Sequence, residues 1–310
     1  MHPSRLIVVA GPTGTGKSDL ALDLAGQLDG EIVNADSMQL YRGMDIGTAK
    51  LPVGERQGIP HHLLDVLHVT ERASVAAYQQ QARRIIEDIL ARHRTPILVG
   101  GSGLYISAVI DRIEFPGTEP AVRAALEAEL AQAGPAVLFA RLAAADPAAA
   151  AAIEPGNGRR IVRALEVMAV TGRPFTATLP VPGPPLYDAL LVCLDRETAE
   201  LDDRLDRRVR AMVADGLLDE VAALDAVGLR TGVTASRALG YPQMLAVLDG
   251  RQDLPSAIDE TVRLTRRFVR RQRSWFRRDR RMTQVDAGAP DVLAAVTALA
   301  DRARSDGQPH

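Results

Sequence analysis

An apolar run, LIVVA at 6–10, leads directly into GPTGTGKS at 11–18, and Leu and Ala recur at helical spacing from Ser18 to Leu28. This order of strand, glycine-rich turn and helix constrains the fold more than any other feature of the chain. The turn matches G-x-x-x-x-G-K-[ST], a P-loop, in which backbone N–H groups, a helix N-terminus and the lysine charge hold phosphate. The residues predicted to bind the phosphates of a small-molecule substrate are Gly11, Pro12, Thr13, Gly14, Thr15, Gly16, Lys17 and Ser18. Ser18 is also placed to ligate Mg²⁺, and a glycine-rich turn without a ligand is the alternative.

Three further apolar runs end in glycine or acidic residues: EIVNAD at 31–36, PILVGG at 96–101 and ALLVCLD at 189–195. A helical pattern from Ser74 to His93, with Ser74 as the expected N-cap, separates the second run from the third. The sequence therefore predicts an α/β fold, a P-loop NTPase-like parallel sheet flanked by helices. After Asp195 the pattern is helical almost throughout, at 199–214, 217–226, 243–248 and 255–279.

Residues 115–185 differ from the segments on either side. They open with PGTEP, continue with Ala-rich helical patterns at 122–133 and 136–142, and close with the proline cluster VPGPP. Because this stretch shows no strand pattern, we expect an all-helical insertion domain at 115–185. The P-loop core, with C-terminal basic helices, would then consist of 1–114 and 186–310.

The charge of the chain is unevenly distributed. Its formal net charge is -2, yet ten arginines and a single acid, Asp279, lie between Arg263 and Arg281. Phe268, Trp275 and Phe276 interrupt this stripe. A local basic stripe with aromatic residues favours nucleic acid as the partner. Trp275 could stack on a base or pack in the core, and composition alone favours the core.

The lone cysteine, Cys193, excludes an internal disulfide and a cysteine-based metal cluster, and its apolar run predicts a buried structural thiol. No apolar stretch approaches the roughly 20 residues of a membrane span. The run at 6–10 is also too short for the core of a signal peptide. We therefore expect a cytoplasmic protein that does not contact membranes.

Asp36 ends the second apolar run, where an open α/β sheet presents residues to its ligand crevice. Position alone leaves two interpretations equally open: a group that acts on a ligand, or the N-cap or Asx-turn residue of a loop. The polar, glycine-bearing segment SMQLYRGMDIGTAK that follows is too long for a simple turn. It is predicted to be a binding loop.

Several strings of the chain together resemble the bacterial tRNA dimethylallyltransferases, also called isopentenyl-tRNA transferases. The most specific is DSMQLYRGMDIGTAK at 36–50. The others, in order, are HHLLD at 61–65, GGSGLY at 100–105, NGRRIVRALEV at 157–167, RALGYPQM at 237–244 and RRFVRRQRSWFRR at 266–278. The resemblance runs nearly from end to end.

This resemblance implies transfer of a dimethylallyl group from dimethylallyl diphosphate to the exocyclic amine of the adenosine adjacent to the anticodon (position 37). The tRNAs would be those that read codons starting with uridine, and diphosphate would be released with the help of Mg²⁺. Asp36 would be the general base, while Lys17 and Ser18 would stabilise the charge that develops on the leaving group. Arg208 would also bind the diphosphate, although its charge-rich surroundings alone suggest a solvated helix face.

The resemblance further implies a monomer that binds the tRNA anticodon stem-loop. NGRRIVRALEV can equally be an amphipathic helix with Ile161, Leu165 and Met168 in a core and arginines outside, and both interpretations can hold at once. The residues expected at the tRNA are Asp36, Ser37, Met38, Gln39, Ser102, Arg123, Arg159, Arg160, Ile161, Val162, Arg163, Arg237, Gly240, Tyr241, Arg270, Arg271, Gln272, Trp275 and Arg277.

Two other functions compete with this one. In a small-molecule kinase, ATP would occupy the P-loop and Asp36 would activate a hydroxyl group, but an arginine stripe has no evident use for a metabolite. In a non-enzymatic, nucleotide-gated RNA-binding module, Asp36 would only cap a helix.

Overall fold

The computed structural model describes residues 5–113, 115–178 and 183–305. Glu114, where the predicted core segment ends, and residues 181 and 182 of the proline cluster lie outside this range. The described chain forms two compact units: one within Met1–Ile110 and Pro185–His310, the other within Asp111–Pro184. The expected insertion at 115–185 starts four residues later than the second unit and ends one residue later. Its role as a separate tRNA-contacting domain stays a prediction.

The first unit contains one parallel sheet of six strands in the order β3-β2-β4-β1-β5-β6. The strands are β1 (Ile7–Ala10), β2 (Gly30–Asn34), β3 (His61–His62), β4 (Thr95–Gly100), β5 (Leu190–Asp195) and β6 (Thr283–Asp286). The four predicted apolar runs became β1, β2, β4 and β5, so the predicted α/β parallel-sheet fold is confirmed.

Helices cover both faces of this sheet. They are α1 (Lys17–Gln27), α2 (Val75–Ala91), α3 (Gly103–Ile110) and, at the C-terminus, α12 (Val292–Ser305). Successive strand residues point to opposite faces. Val8 and Ala10 accordingly pack with α2 and α3, whereas Ile7 and Val9 pack with α1 and α12. The predicted cap of α2 is confirmed, because Ser74 Oγ accepts a hydrogen bond from the N–H of Ala77 (3.4 Å).

Four more helices pack beside the sheet in the same unit: α8 (Thr198–Ala214), α9 (Leu217–Ala226), α10 (Tyr241–Leu248) and α11 (Leu254–Phe276). Their shared core includes Leu217, Val221, Tyr241 and Met244, and Tyr41 and Met44 of the predicted binding loop pack into it. This packing brings the loop at 37–50 and the basic helix α11 to the end of the sheet that carries the P-loop.

Within its described residues, the second unit contains helices and no strands. Its helices are α4 (Pro120–Ala133), α5 (Pro135–Ala145), α6 (Pro147–Ala152) and α7 (Gly158–Thr171). Leu138, Leu142, Ile161, Val162 and Leu165 are buried in its core.

Candidate active site

The P-loop lies between β1 and α1, against β5. Gly11 has a φ of +145°, and a Cβ atom there would overlap the Leu194 carbonyl, so only glycine fits this approach. Thr15 Oγ1 and Lys17 Nζ donate hydrogen bonds to the Pro12 carbonyl at 2.9 and 2.6 Å. The second of these hydrogen bonds holds the Lys17 side chain against the loop.

Two cavities meet beside this loop. The first, about 480 Å³, lies over the P-loop and is lined by Ser18, Arg204 and Arg207 among other polar residues. The second, about 350 Å³, has a largely apolar wall that includes Leu205, Met212 and Phe268. The residues that line both cavities are Thr13, Lys17, Asp36, Thr48, Gly101 and Arg208. A polar and a largely apolar compartment therefore share one wall that carries two cations and one carboxylate.

The shared wall carries more positive than negative charge. Burial and, to a smaller extent, the nearby Arg208 lower the pKa of Lys17 to about 8, although the Asp36 carboxylate acts to raise it. Burial also lowers the pKa of Arg208. The Asp36 carboxylate acts to raise this pKa, and the nearby charge of Arg204 acts to lower it. In the described part of the chain, Arg208 forms no hydrogen bond or ion pair. Two cations that are poorly solvated and incompletely neutralised favour an anionic ligand between them.

Asp36 is positioned by the end of β2. The Asn34 side chain accepts a hydrogen bond from the Asp36 N–H and donates to its carbonyl, both at 2.9 Å. Asp36 Oδ1 in turn accepts a hydrogen bond from the Met38 N–H at 2.9 Å. The Asx turn foreseen for this residue is present, and the same carboxylate lines both cavities. The two interpretations of Asp36 are therefore compatible.

A half-buried carboxylate holds the tip of the loop at 37–50. Glu220 of α9 accepts hydrogen bonds from three successive backbone N–H groups, those of Asp45, Ile46 and Gly47, at 2.6–3.1 Å. The Tyr241 hydroxyl donates to the same carboxylate at 2.7 Å. Glu220 belongs to none of the recognised strings, so sequence reasoning missed it.

Lys50 anchors the other end of this loop. Its ammonium group is buried and contacts the Tyr41 carbonyl at 2.8 Å and the carboxylates of Asp45 and Asp65, each at 2.6 Å. Asp65 ends the string HHLLD, so the two strings meet in this ion-pair cluster. The conformation of the loop thus has a structural explanation in addition to any binding role, because a carboxylate holds its tip and an ammonium group holds its end.

The remaining residues expected at the tRNA fall into two groups within the first unit. Ser37, Met38, Ser102, Arg237 and Gly240 line the second cavity, and Gln39 lines the first. Arg270 and Arg271 are exposed on α11 and Arg277 is exposed at its C-cap, and the Arg271 guanidinium lies over the Phe268 ring at 5.7 Å. Trp275 is 46% exposed, so the prediction from composition that this residue packs in the core is wrong.

Two residues of this set are buried. Tyr241 is fully buried, with its hydroxyl on Glu220, and the structure corrects the expectation that its side chain meets tRNA. Gln272 is 6% exposed and is held by the P-loop and the loop after β4, but it also lines the second cavity, so its expected contact with tRNA stays a prediction. A recognised string identifies these residues without showing which way they point.

In the second unit, Arg159 and Arg160 are exposed at the start of α7. Ile161 and Val162 are buried in that unit's core, which corrects the expectation that they contact tRNA and agrees with the amphipathic helix. Arg123 and Arg163 both bind Glu166 Oε2 at 2.7 Å, and Glu166 is fully buried. Their charges are therefore partly committed to an internal ion-pair cluster that the sequence did not reveal.

Comparisons with known proteins agree with one another. The family described as IPP transferase matches residues 39–279. The chain belongs to this family. It is 63% identical to a tRNA dimethylallyltransferase of Salinispora arenicola over 95% of this chain and 87% of that protein. It is also 63% identical to one of Saccharopolyspora erythraea over 96% of each chain.

Two solved structures of similar proteins extend the comparison to the fold. The full-length tRNA isopentenylpyrophosphate transferase of Bacillus halodurans is 38% identical, with a TM-score of 0.73 over 98% of this chain and 97% of that one. A eukaryotic dimethylallyltransferase acting on tRNA is 28% identical, with a TM-score of 0.82 over 99% of this chain and 80% of that one. The predicted family is thus confirmed.

No helix in the described residues is long and apolar enough to cross a membrane. The same residues contain no cluster of three or more His, Cys, Asp or Glu side chains arranged to hold a metal ion.

Proposed function

We propose that this protein transfers the dimethylallyl group of dimethylallyl diphosphate to the exocyclic amine of adenosine 37, adjacent to the anticodon, in tRNAs that read codons starting with uridine. The observation that carries the proposal is the pair of cavities that meet at Lys17, Asp36 and Arg208. A diphosphate ester with a short apolar group needs a polar and an apolar compartment joined at the reacting carbon. The names of the family and of the similar proteins support the same activity.

The diphosphate would lie in the first cavity. The P-loop amides, Lys17 and Arg208 would bind its oxygens, and Arg204 and Arg207 line the same space. As the bond between the allylic carbon and oxygen breaks, negative charge accumulates on the departing oxygens. Cations fixed near those oxygens stabilise this transition state more than the ground state.

Magnesium fits the residues present. The Ser18 hydroxyl is exposed in the first cavity, and Asp19 lines the cavity beside it. Mg²⁺ is usually held by one or two protein oxygens together with substrate phosphates, so a dedicated cluster of carboxylates is not required. When bound, the ion would neutralise charge on the diphosphate.

Asp36 would act as the general base. The lone pair of the adenine amine attacks the allylic carbon, the carbon–oxygen bond breaks and its electron pair leaves with the diphosphate. The amine proton then passes to the Asp36 carboxylate. One carboxylate oxygen is held by the Met38 N–H, which fixes the orientation of the group toward the cavities.

The tRNA would bind across the surface that surrounds the second cavity. An adenosine inside an anticodon loop must be extruded to reach Asp36, and Ser37, Met38 and Ser102 line the cavity that would receive it. The exposed arginines of α11 would bind phosphates, as Arg159 and Arg160 of the second unit also would. Because the proposed substrate is tRNA, we place the enzyme in the cytoplasm.

The deciding experiment incubates the protein with Mg²⁺ and unmodified tRNA, and with either dimethylallyl diphosphate or ATP. Nucleosides are then separated and weighed by mass spectrometry. We expect adenosine to gain the mass of one dimethylallyl group less the hydrogen that it replaces, and a tRNA with guanosine at position 37 to gain nothing. Phosphate transfer from ATP would instead indicate a kinase, and tRNA binding without chemistry would indicate an RNA-binding module.

A further inference from the structure

The Gln272 side chain of α11 lies buried between the P-loop and the loop after β4. Its Oε1 accepts a hydrogen bond from the Thr13 N–H at 3.1 Å, and its Nε2 donates one to the Gly101 carbonyl at 2.9 Å. Only 6% of the residue is exposed. A side-chain amide offers one acceptor and two donors in one plane, and here it connects two backbone segments that both line the cavities.

The string GGSG at 100–103 makes room for this contact. A Cβ atom at Gly101 would overlap Gln272 Nε2, and one at Gly103 would overlap the Trp275 ring. Gln272 and Trp275 are three residues apart and so lie on the same face of α11. The glycines after β4 therefore allow this face of the basic helix to pack directly against the loop, with the Gln272 amide reaching through to the P-loop.

We propose that Gln272 is a positioning residue of the diphosphate site. Through its two hydrogen bonds, α11 fixes the Thr13 end of the P-loop relative to the carboxyl end of β4. The diphosphate site then depends on a helix that is distant in sequence and that would otherwise serve only the RNA. This inference rests on the proposed function for the identity of the substrate, but the geometry concerns any diphosphate.

The replacement Gln272→Leu removes both hydrogen bonds with little change in size. Misplacement of a substrate-binding group by about 1 Å costs on the order of 100-fold in rate. We expect kcat/KM for dimethylallyl diphosphate to fall, and the Kd for inorganic pyrophosphate to rise, by roughly 10- to 100-fold. The KM for tRNA should change by about twofold or less, because Gln272 is only 6% exposed and its side-chain hydrogen bonds go to backbone groups of the protein.

Gln79→Leu is the matched control. Gln79 is also a buried glutamine whose Nε2 donates to a backbone carbonyl, that of Ala108 at 2.8 Å, but it lies on α2 and lines neither cavity. It should lower thermal stability about as much as Gln272→Leu while leaving pyrophosphate affinity unchanged.

The replacement Gln272→Glu supplies a second readout. It tests the proposal even if Gln272→Leu does not fold. An ionised carboxylate still accepts from Thr13 but cannot donate to the Gly101 carbonyl, whereas its protonated form can do both. The defect in pyrophosphate binding should therefore shrink, relative to the wild type, as the pH is lowered.

Three results would overturn the proposal. The first is a rise in the KM for tRNA alone, which would make Gln272 an RNA contact. The second is unchanged pyrophosphate affinity in Gln272→Leu despite lost stability, which would make it a packing residue. The third is a pH-independent defect in Gln272→Glu. Failure of the wild type to modify tRNA would refute the proposed function instead, while the pyrophosphate measurements would still test Gln272.

Discussion

At the scale of single residues, the Asp36 carboxylate accepts the hydrogen bond of an Asx turn and also lines both cavities. The replacement Asp36→Asn keeps the shape and removes the base. We expect the chemical step in single-turnover experiments to slow by roughly 10²- to 10⁴-fold, the usual contribution of general base catalysis, while tRNA and diphosphate still bind. Asp23→Asn, which changes the same charge on the exposed face of α1, should behave as the wild type. An unslowed chemical step in Asp36→Asn would show that Asp36 serves only the turn.

Lys17 makes diphosphate binding depend on pH. Its pKa of about 8 in the ligand-free protein is far below the ordinary 10.5, so the ammonium charge is present below about pH 8 and is lost above it. We expect kcat/KM for dimethylallyl diphosphate to fall above about pH 8, because this ratio reports the free enzyme. Bound diphosphate stabilises the charged form, so kcat should hold to higher pH.

Lys17→Arg is the control for this profile, because an arginine keeps its charge throughout the range. Its kcat/KM should be flat near pH 8 even if it is lower overall. The same decline in both proteins would assign the titration to another group.

At the scale of helices and strands, apolar runs predicted the four central strands because each is buried on both faces. They could not predict β3, which has two residues, or β6, whose residues are mostly exposed. The string GGSGLY concealed the start of α3.

For the site, strings identified Tyr241 and Gln272 but gave no direction for their side chains. The roles of Glu220 and Glu166 could be identified only from the tertiary structure, because their hydrogen-bond and ion-pair partners lie far away in the sequence or on the neighbouring turn of the same helix.

The basic helix α11 allows a test by salt dependence. Arg270→Gln and Arg271→Gln each remove an exposed cation from α11, and Arg271 also lines the second cavity. If each contacts one phosphate, the slope of log Kd for tRNA against log salt should fall by roughly 0.7 to 0.9 per substitution. Arg263→Gln, earlier on the same helix and paired with Glu260, should leave the slope unchanged. An equal change in all three would indicate a general effect of net charge.

In the second unit, Glu166 connects α4 to α7. Glu166→Gln leaves Arg123 and Arg163 without their shared carboxylate. Hydrogen bonds to charged groups contribute roughly 1.5 to 3 kcal/mol, so amide exchange in both helices should accelerate measurably by mass spectrometry. Glu129→Gln breaks only a surface pair with Arg141 and should have little effect. Unchanged exchange in Glu166→Gln would mean that packing alone holds these helices.

At the scale of the whole molecule, the single cysteine reports on the cooperativity of the sheet. Cys193 is 2% exposed in β5, and burial raises the pKa of its thiol to about 11, as expected for an unreactive structural thiol. In the parallel pair of β1 and β5, Cys193 lies opposite Ala10, the last residue before the P-loop. An alkylating reagent should therefore modify the native protein only when the sheet opens, and opening should release the P-loop as well.

Inorganic pyrophosphate should protect this thiol. A ligand that binds only the folded state at 100 times its Kd stabilises it by about 2.7 kcal/mol, so alkylation should slow about 100-fold. The rate is measured as a single mass addition over time, and alkylation of free glutathione with and without pyrophosphate controls for effects on the reagent. A rate that pyrophosphate does not change would mean that β5 opens while the phosphate site stays folded. Protection would instead show that β1, β5 and the P-loop open as one cooperative unit, which their direct pairing at Ala10 leads us to expect.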